Sequence, residues 1–205
     1  LSYLADNPAA HGVAFLVDEQ TEGRGRQGRL WTSNRGDGMY LSVILAPKRD
    51  IIEWSSLSFL TSLSLLHAIQ QLVPNNADKL KMKWPNDVLL NGGKVAGILL
   101  ESIGAGGGVS HLAIGIGVNL ADAPLASDVE ALAMRPVSLL SEAGVAISPE
   151  DFLDLLASAY ARQESQFTTY GFAAIRDAWL ARAAKLGEVI TARTMNSETT
   201  GTFET

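Results

Sequence analysis

The chain has 205 residues, of which 47% are hydrophobic, so it can bury a substantial core in one large domain, alone or with a small appendage. Its formal net charge of -6 argues against nucleic acid as a partner, because binding to a phosphate backbone depends on clustered Lys and Arg. The absence of cysteine excludes disulfides, thiolate nucleophiles and cysteine-based zinc sites, and it agrees with a reducing cytoplasm. No apolar run approaches the roughly 20 residues that a membrane-spanning helix needs.

The first part of the chain predicts two strands and a long helix. Residues 1–6 are typical of the end of a helix, and the apolar runs at residues 13–20 and 39–46 predict strands. The second run is nearly continuous, which favours the middle of a sheet that is covered on both faces. Apolar residues at helical spacing then predict a helix over residues 51–73, which ends at Pro74.

Four further strands are predicted in succession, at residues 79–84, 88–91, 94–101 and 110–119. Tight turns join them, with Gly92-Gly93 forming one hairpin and residues 104–108 forming the tip of another. Strands in this order predict an antiparallel meander. The fold class is therefore α+β, with a mixed, largely antiparallel sheet flanked by helices.

The last third of the chain predicts helices near residues 137–143, 149–168 and 170–184. Residues 189–193 and 201–203 are typical of the first strands of a small barrel. We expect one domain over residues 1–185 and the incomplete beginning of a second over residues 186–205.

A loop rich in glycine and arginine occupies residues 23–31 and follows the first predicted strand. Its glycines free the backbone, and its arginines repel one another unless an anion gathers them. We expect it to be mobile when empty and ordered when it closes over a small anion. The pattern G-x-G-x-x-G is present, but no helix opens at Gly28, so a dinucleotide-binding fold is rejected.

Lysines occupy two positions where a phosphate could approach. A period-two alternation over residues 79–84 puts three lysines on one strand face, which is either a solvated face or a positive wall beside a phosphate. The second interpretation is strongest at Lys83. Lys94 starts a core strand just after a Gly-Gly turn, and because Val95 follows it, the magnesium-binding Ser or Thr of a Walker A motif is missing.

Patterns of hydrolytic enzymes are absent from the sequence, which has neither G-x-S-x-G nor H-E-x-x-H. Its histidines occur singly, and for His67, inside a predicted helix, packing is favoured over catalysis. Polar residues that remain beside glycines or at strand ends are Arg24, Arg26, Lys83, Asp87, Lys94 and Asn119. This set suits nucleotide phosphates held by cations and a magnesium ion held by one carboxylate.

Four motifs carry a resemblance to a known family. They are Gly-Arg-Gly-Arg-Gln-Gly-Arg-Leu-Trp at residues 23–31, Lys-Trp-Pro-Asn-Asp at 83–87, Gly-Lys-Val-Ala-Gly-Ile-Leu-Leu-Glu at 93–101 and Ile-Gly-Ile-Gly-Val-Asn at 114–119. In order and spacing they resemble the motifs of bacterial biotin protein ligases. Each motif alone is weak, but four in register are specific.

This resemblance implies a catalytic fold like that of biotin ligases and class II aminoacyl-tRNA synthetases, followed by the start of an SH3-like barrel. Nothing resembles the winged-helix DNA-binding domain of bifunctional members, which favours the ligase-only type. The implied reaction is ATP-dependent formation of biotinyl-5'-AMP, followed by transfer of biotin to a lysine of a biotin carboxyl carrier domain of acetyl-CoA carboxylase or a related carboxylase. Carboxylate and triphosphate repel one another, so cations and Mg²⁺ must offset like charge before they meet.

The resemblance also implies residue roles. Lys94 would contact the biotin carboxylate and the α-phosphate, Arg26 would cover the adenylate, and Asp87 would help to hold magnesium. The residues implied to contact biotin or the adenylate are Gln20, Gly23, Arg24, Gly25, Arg26, Lys94, Gly97, Gly115 and Gly117. ATP would also contact Lys83, Asn86 and Asn119. For Trp31 and Trp84, packing is favoured over stacking on a ligand.

Two departures from the family pattern concern the ends of the chain. The family usually has a Ser-Thr-Asn stretch before the first helix, and this sequence begins beyond it, at Leu1. It ends inside the small barrel, so we expect a fragment. Two alternatives stay open: a lipoate-type ligase, whose Arg-Arg-x-x-Gly-Gly-Gly pattern is absent, and a non-enzymatic module that binds biotinyl-AMP. A homodimer is compatible with either assignment.

Overall fold

A six-stranded sheet forms the centre of the fold, and all its strand pairings are antiparallel. Its strands in chain order are β1 (Val13–Val17), β2 (Gly38–Leu45), β3 (Leu80–Lys83), β4 (Asp87–Leu90), β5 (Gly93–Ile103) and β6 (His111–Asn119). Across the sheet the order is β1-β2-β6-β5-β4-β3. The predicted meander of four strands is therefore confirmed, and β2 lies inside the sheet as its continuous apolar run indicates.

Helices pack on this sheet, and their bounds are α1 (Ile51–Trp54), α2 (Ser56–Leu72), α3 (Leu139–Ala143), α4 (Pro149–Tyr170) and α5 (Phe172–Leu180). The α4 helix begins where the Ser148 hydroxyl accepts a hydrogen bond from the Asp151 amide, with Pro149 in its first turn. It ends at Gly171, whose φ of +73° stops the helix. The α+β architecture expected from the sequence is confirmed.

The hydrophobic core lies between α2 and the sheet. Leu60 and Ile69 of α2 are fully buried, as are Val88 of β4 and Val118 of β6. The α2 helix also packs against α4 and α5, so apolar residues surround it on most sides. Because α2 is covered by both helices and strands, it anchors the sheet that carries the polar residues of interest.

The structure is a computed structural model, and it describes residues 11–46, 51–103, 110–125, 127, 129, 134–193 and 197–204. The predicted helix end at residues 1–6 and the hairpin tip at residues 104–108 lie outside these ranges. Within them, no helix has the length and apolarity to cross a membrane.

Several element boundaries differ from the expectations. The first strand ends at Val17, three residues early, and the long helix is interrupted at Ser55. The β4–β5 turn consists of Asn91 and Gly92, which both have positive φ, as a two-residue hairpin requires. The strand predicted over residues 79–84 ends at Lys83, so Trp84 belongs to the turn that follows and is 39% exposed.

A second, two-stranded sheet consists of β7 (Val189–Arg193) and β8 (Glu198–Thr202). The Phe203 ring lies 6.3 Å from the Trp179 ring, edge to face, which joins this sheet to α5. The side-chain amide of Gln27 donates to the Arg193 carbonyl at 3.0 Å, so the glycine- and arginine-rich loop also contacts it. The domain boundary after residue 185 and the barrel remain predictions.

Candidate functional site

Asp87 is the centre of a buried charge cluster at the junction of three strands. It begins β4, lies opposite Lys83 of β3 and opposite Gly97 of β5, and is 8% exposed. One carboxylate oxygen, Oδ1, lies 2.7 Å from Lys94 Nζ, and the other, Oδ2, lies 3.3 Å from Lys83 Nζ. Two ammonium groups and one carboxylate leave a local excess of positive charge, which is suited to an anion.

Trp31 covers this cluster from the side of the loop. Its ring centroid lies 5.2 Å from Lys94 Nζ, which is a cation–π distance. The indole packs directly on Gly117 of β6, where an added Cβ would overlap Cζ2 of the ring. A Cβ on Gly97, the strand partner of Gly117, would lie 3.1 Å from both Trp31 and the Lys94 side chain. These two glycines therefore admit the tryptophan and the lysine to the surface of the sheet.

Gly115 has a different setting, although it lies on the same face of β6 as Gly117. Among the described residues, a Cβ at this position would contact only Leu99, at an ordinary 3.6 Å. The close packing that requires glycine at position 117 is therefore not repeated at position 115. Beside Gly117, burial raises the pKa of Tyr40 on β2, and Asp37 raises it further, so this phenol is neutral.

The loop over residues 23–31 is closed by its own backbone. The Trp31 amide donates to the Gly23 carbonyl at 3.0 Å, and the Gly25 amide donates to the Arg29 carbonyl at 2.7 Å. A Cβ on Gly23 would overlap the Trp31 carbonyl oxygen, so a larger residue would open the loop at its base. The mobility expected of the empty loop stays a prediction.

Arg24 and Arg26 are exposed on this loop. The Arg24 guanidinium lies 3.5 Å from Glu22, with 68% of its side chain exposed. Arg26 has no ion-pair partner among the described residues. The structure therefore brings Lys83, Asp87 and Lys94 together, while these arginines face solvent.

Gln20 is fixed by a serine that the sequence analysis did not single out. Ser33 is 9% exposed. Its hydroxyl accepts a hydrogen bond from the Gln20 backbone amide at 2.8 Å and donates to the Gln20 backbone carbonyl at 3.1 Å. The Gln20 side chain reaches Gly23, since a Cβ there would lie 3.1 Å from its Oε1. Nothing in the local sequence marks Ser33, because its role depends on a partner 13 residues away.

Both predicted asparagines donate to backbone carbonyls. Asn86 Nδ2 donates to the Ile98 carbonyl at 2.6 Å, and buried Asn119 donates to the Val137 carbonyl at 3.0 Å. Each amide thus holds a backbone segment beside the charge cluster. Their predicted contacts with ATP stay predictions.

The predicted magnesium ligand, Asp87, stays a prediction. Lys94 and Lys83 each lie near one of its carboxylate oxygens, but Oδ1 is buried and accepts no hydrogen bond from the described residues. Within the described residues, no group of three or more His, Cys, Asp and Glu side chains could hold a metal ion. A single carboxylate is enough for the predicted role, because Mg²⁺ takes its other ligands from substrate phosphates and water.

A separate cavity of about 800 Å³ lies among α2, α4 and α5 and shares no residue with the charge cluster. His67 lines it together with Arg162 and Arg182. Burial lowers the pKa of His67, and the two guanidinium groups lower it further. Gln163 Nε2 donates to the Nδ1 of this neutral ring at 3.1 Å.

Solved structures that share this fold include biotin protein ligases. The Aquifex aeolicus enzyme in complex with biotin and ATP matches with a TM-score of 0.81 and 26% identity, covering 98% of this chain and 80% of that one. A Leishmania major biotin protein ligase in complex with biotinyl-5-AMP shares the fold, with a TM-score of 0.74, 24% identity and coverage of 89% and 75%. The fold class is therefore that of the biotin protein ligases.

The family model of the Biotin/lipoate A/B protein ligase family matches residues 4–119. The chain belongs to this family. It is similar to the biotin--[acetyl-CoA-carboxylase] ligase of Paracoccus denitrificans, with 54% identity over 96% of this chain and 82% of that protein. It is also 32% identical to the bifunctional ligase/repressor BirA of Bacillus subtilis, over 98% of this chain but 59% of that protein. The resemblance predicted from the four motifs is confirmed.

Proposed function

We propose that the protein is a biotin--[biotin carboxyl-carrier protein] ligase. In the first step a biotin carboxylate oxygen attacks the α-phosphorus of ATP, which forms biotinyl-5'-AMP and releases pyrophosphate. In the second step the amine of an acceptor lysine attacks the activated carbonyl, the amine loses a proton and AMP leaves. This proposal follows the ligase of 54% identity and the structure that holds biotin and ATP.

One observation carries the proposal: Asp87, Lys94 and Trp31 meet, although they belong to three motifs separated in the chain. Both substrates of the first step are anions, and they repel one another in water. The Lys94 side chain lies beside Gly97 of β5, whose strand partner is Gly117 of β6. We propose that its charge there contacts the biotin carboxylate and the α-phosphate of ATP together. Lys83 adds a second positive charge beside the Asp87 carboxylate.

The remaining roles are proposed on the same basis. Arg24 and Arg26 have exposed side chains and are proposed to turn inward with the loop, where they gather the phosphate of the adenylate. Arg24 would leave its 3.5 Å pair with Glu22 to do so. Gln20, Gly23 and Gly25 shape the base of that loop. Mg²⁺ is proposed to accompany the phosphates of ATP. Residues 1–185 are proposed as the catalytic domain, and residues 186–205 as the start of the SH3-like unit.

The proposed acceptor is the biotin carboxyl carrier domain of acetyl-CoA carboxylase or of a related carboxylase, following the name of the Paracoccus denitrificans relative. A cytoplasmic location is proposed because the sequence has no cysteine, in agreement with a reducing compartment. Homodimer formation is a further proposal, and the outer strand β1 is the sheet edge proposed for it, because Met82 of the other outer strand, β3, already pairs with Ala183.

The decisive experiment measures the exchange of labelled pyrophosphate into ATP by the intact protein. We expect exchange only when biotin is present, and exchange supported by lipoate instead would assign the lipoate-type alternative. Transfer to a purified carrier domain is then measured in a single turnover. Tight binding of biotinyl-AMP without exchange or transfer would favour the non-enzymatic module and contradict the proposal.

A further inference from the structure

The backbone of Lys94 is held by a segment that lies far from it in sequence. Its amide donates to the Arg135 carbonyl at 2.8 Å, and its carbonyl accepts from the Val137 amide at 2.9 Å. Residues 135–137 therefore act as a short parallel strand beside Lys94, with Pro136 as the bridge partner. They continue the ladder where β6 has ended, since the last β6 partner of β5 is Val118, opposite Ala96.

Two features hold this segment against the sheet. A Cβ on Gly93 would overlap Cγ1 of Val137, so the valine packs on the bare backbone next to Lys94. From the other side, Asn119 donates to the Val137 carbonyl at 3.0 Å and is itself buried. The position of Lys94 is thus tied to Val137 through backbone and amide contacts.

Glu142 of α3 ties the segment to the β4–β5 turn. Its Oε1 lies 3.0 Å from the Arg135 guanidinium, and its Oε2 accepts from Asn91 Nδ2 at 2.9 Å. The same amide donates to the Glu142 carbonyl at 3.3 Å. The hydrogen bond from Asn91 lowers the pKa of Glu142, and Arg135 lowers it further, so the side chain is a carboxylate at neutral pH. Only 15% of that side chain is exposed.

We propose that Glu142 is a positioning residue for adenylation, which holds Arg135 and Asn91 so that Lys94 starts its strand at the correct place. Asn91 precedes Lys94 in the chain, at the hairpin turn, and the Arg135 carbonyl accepts the hydrogen bond from the Lys94 backbone amide. The Glu142 carboxylate therefore binds both Arg135 and Asn91. The ammonium group of Lys94 lies 2.7 Å from Asp87. The inference rests on the proposed ligase function.

Adenylation depends on Lys94 more strictly than transfer does, because the lysine is proposed to meet carboxylate and α-phosphate while they react. A misplacement of about 1 Å can cost about a hundredfold in rate. Glu142 is not among the residues proposed to contact either substrate, so its loss should affect the first step through Lys94 alone.

The test is a double-mutant cycle with Glu142→Gln and Lys94→Ala. Glutamine keeps an acceptor for Asn91 and removes the charge that pairs with Arg135. We expect Glu142→Gln to lower kcat for biotin-dependent exchange about five- to tenfold in the wild-type background. In the Lys94→Ala background the same substitution should lower kcat by less than about a further twofold. Transfer from supplied biotinyl-5'-AMP to the carrier domain should change by less than about twofold.

The control is Glu198→Gln, which breaks the 2.7 Å pair with Arg193 in the second sheet and should change neither step. If Glu142→Gln does not fold, Arg135→Gln takes its place, since 58% of that side chain is exposed. Equal losses in exchange and transfer, or a full further loss in the Lys94→Ala background, would overturn the positioning role. If the wild-type protein shows no biotin-dependent exchange, the proposed function itself fails, which is a separate outcome.

Discussion

The indole of Trp31 occupies the space in front of Gly117, where an added Cβ would lie 2.6 Å from Cε2 of the ring. A residue from the loop and a residue from the central sheet are thus in direct contact, although they lie far apart in the sequence. This contact fixes the loop over the end of the Lys94 side chain.

Gly117→Ala should displace Trp31 and destabilise the protein by about 1–3 kcal/mol, because the added methyl group overpacks a contact that has no free space. Denaturant unfolding followed by tryptophan fluorescence measures the change. Gly115→Ala is the matched control, since its Cβ would meet only Leu99 at 3.6 Å among the described residues, and it should cost less. Equal stability of the two variants would refute this account of the glycine.

Lys94→Ala should reduce biotin-dependent exchange by about a hundredfold, because it removes the charge proposed to stabilise the reacting oxygens. Lys81→Ala is the control, since Lys81 is exposed on β3 and takes no part in the pairs with Asp87. A normal exchange rate in Lys94→Ala would contradict the proposed role of this lysine.

Arg26→Gly should release biotinyl-5'-AMP about tenfold faster, because a charge-assisted contact with the phosphate is lost. The released intermediate should then biotinylate lysines of an unrelated protein, which is measured by streptavidin blotting. Arg35→Gly, in the next exposed turn, should not have this effect. Unchanged retention of the adenylate in Arg26→Gly would count against placing this arginine over it.

Replacing His67 by glutamine should reduce the loss of stability on acidification. The pKa of His67 is lowered from its usual 6.5 in the folded protein, so the unfolded chain binds more protons below that pH. The stability due to the neutral ring is complete above pH 6.5 and is lost as the pH falls through the lower, folded pKa. Unfolding free energies of both proteins at about pH 7.5 and about pH 5 test this. An identical pH dependence would show that His67 does not titrate as described.

Much of the fold could be predicted because its signals are local. The alternation over residues 80–83 buries Leu80 and Met82 and leaves Lys81 exposed, as a period of two requires. Tight turns placed β3 to β6 next to one another, since short connections between strands leave few other pairings. Element boundaries were less accurate, as at Ser55 and Val17, because the residues at the ends of helices and strands carry a weaker sequence signal than those inside them.

The site was predicted less completely than the fold. Motif positions singled out Asp87 and Lys94, but not that Asp87 pairs with both Lys83 and Lys94. Ser33 and Glu142 were missed because each acts on backbone or side chains distant in the chain. A hydrogen bond to a backbone atom does not constrain the residue type of its partner, so the sequence carries no signal of it.

The sequence by itself determined the family, the α+β class and the residue types available for the chemistry, because periodicity and ordered motifs are properties of the linear chain. Only the tertiary structure decided which charges pair, where Trp31 lies and what holds Lys94 in place. Those relationships depend on the distances between atoms of residues far apart in sequence, and these distances are fixed only when the strands have paired in the folded sheet.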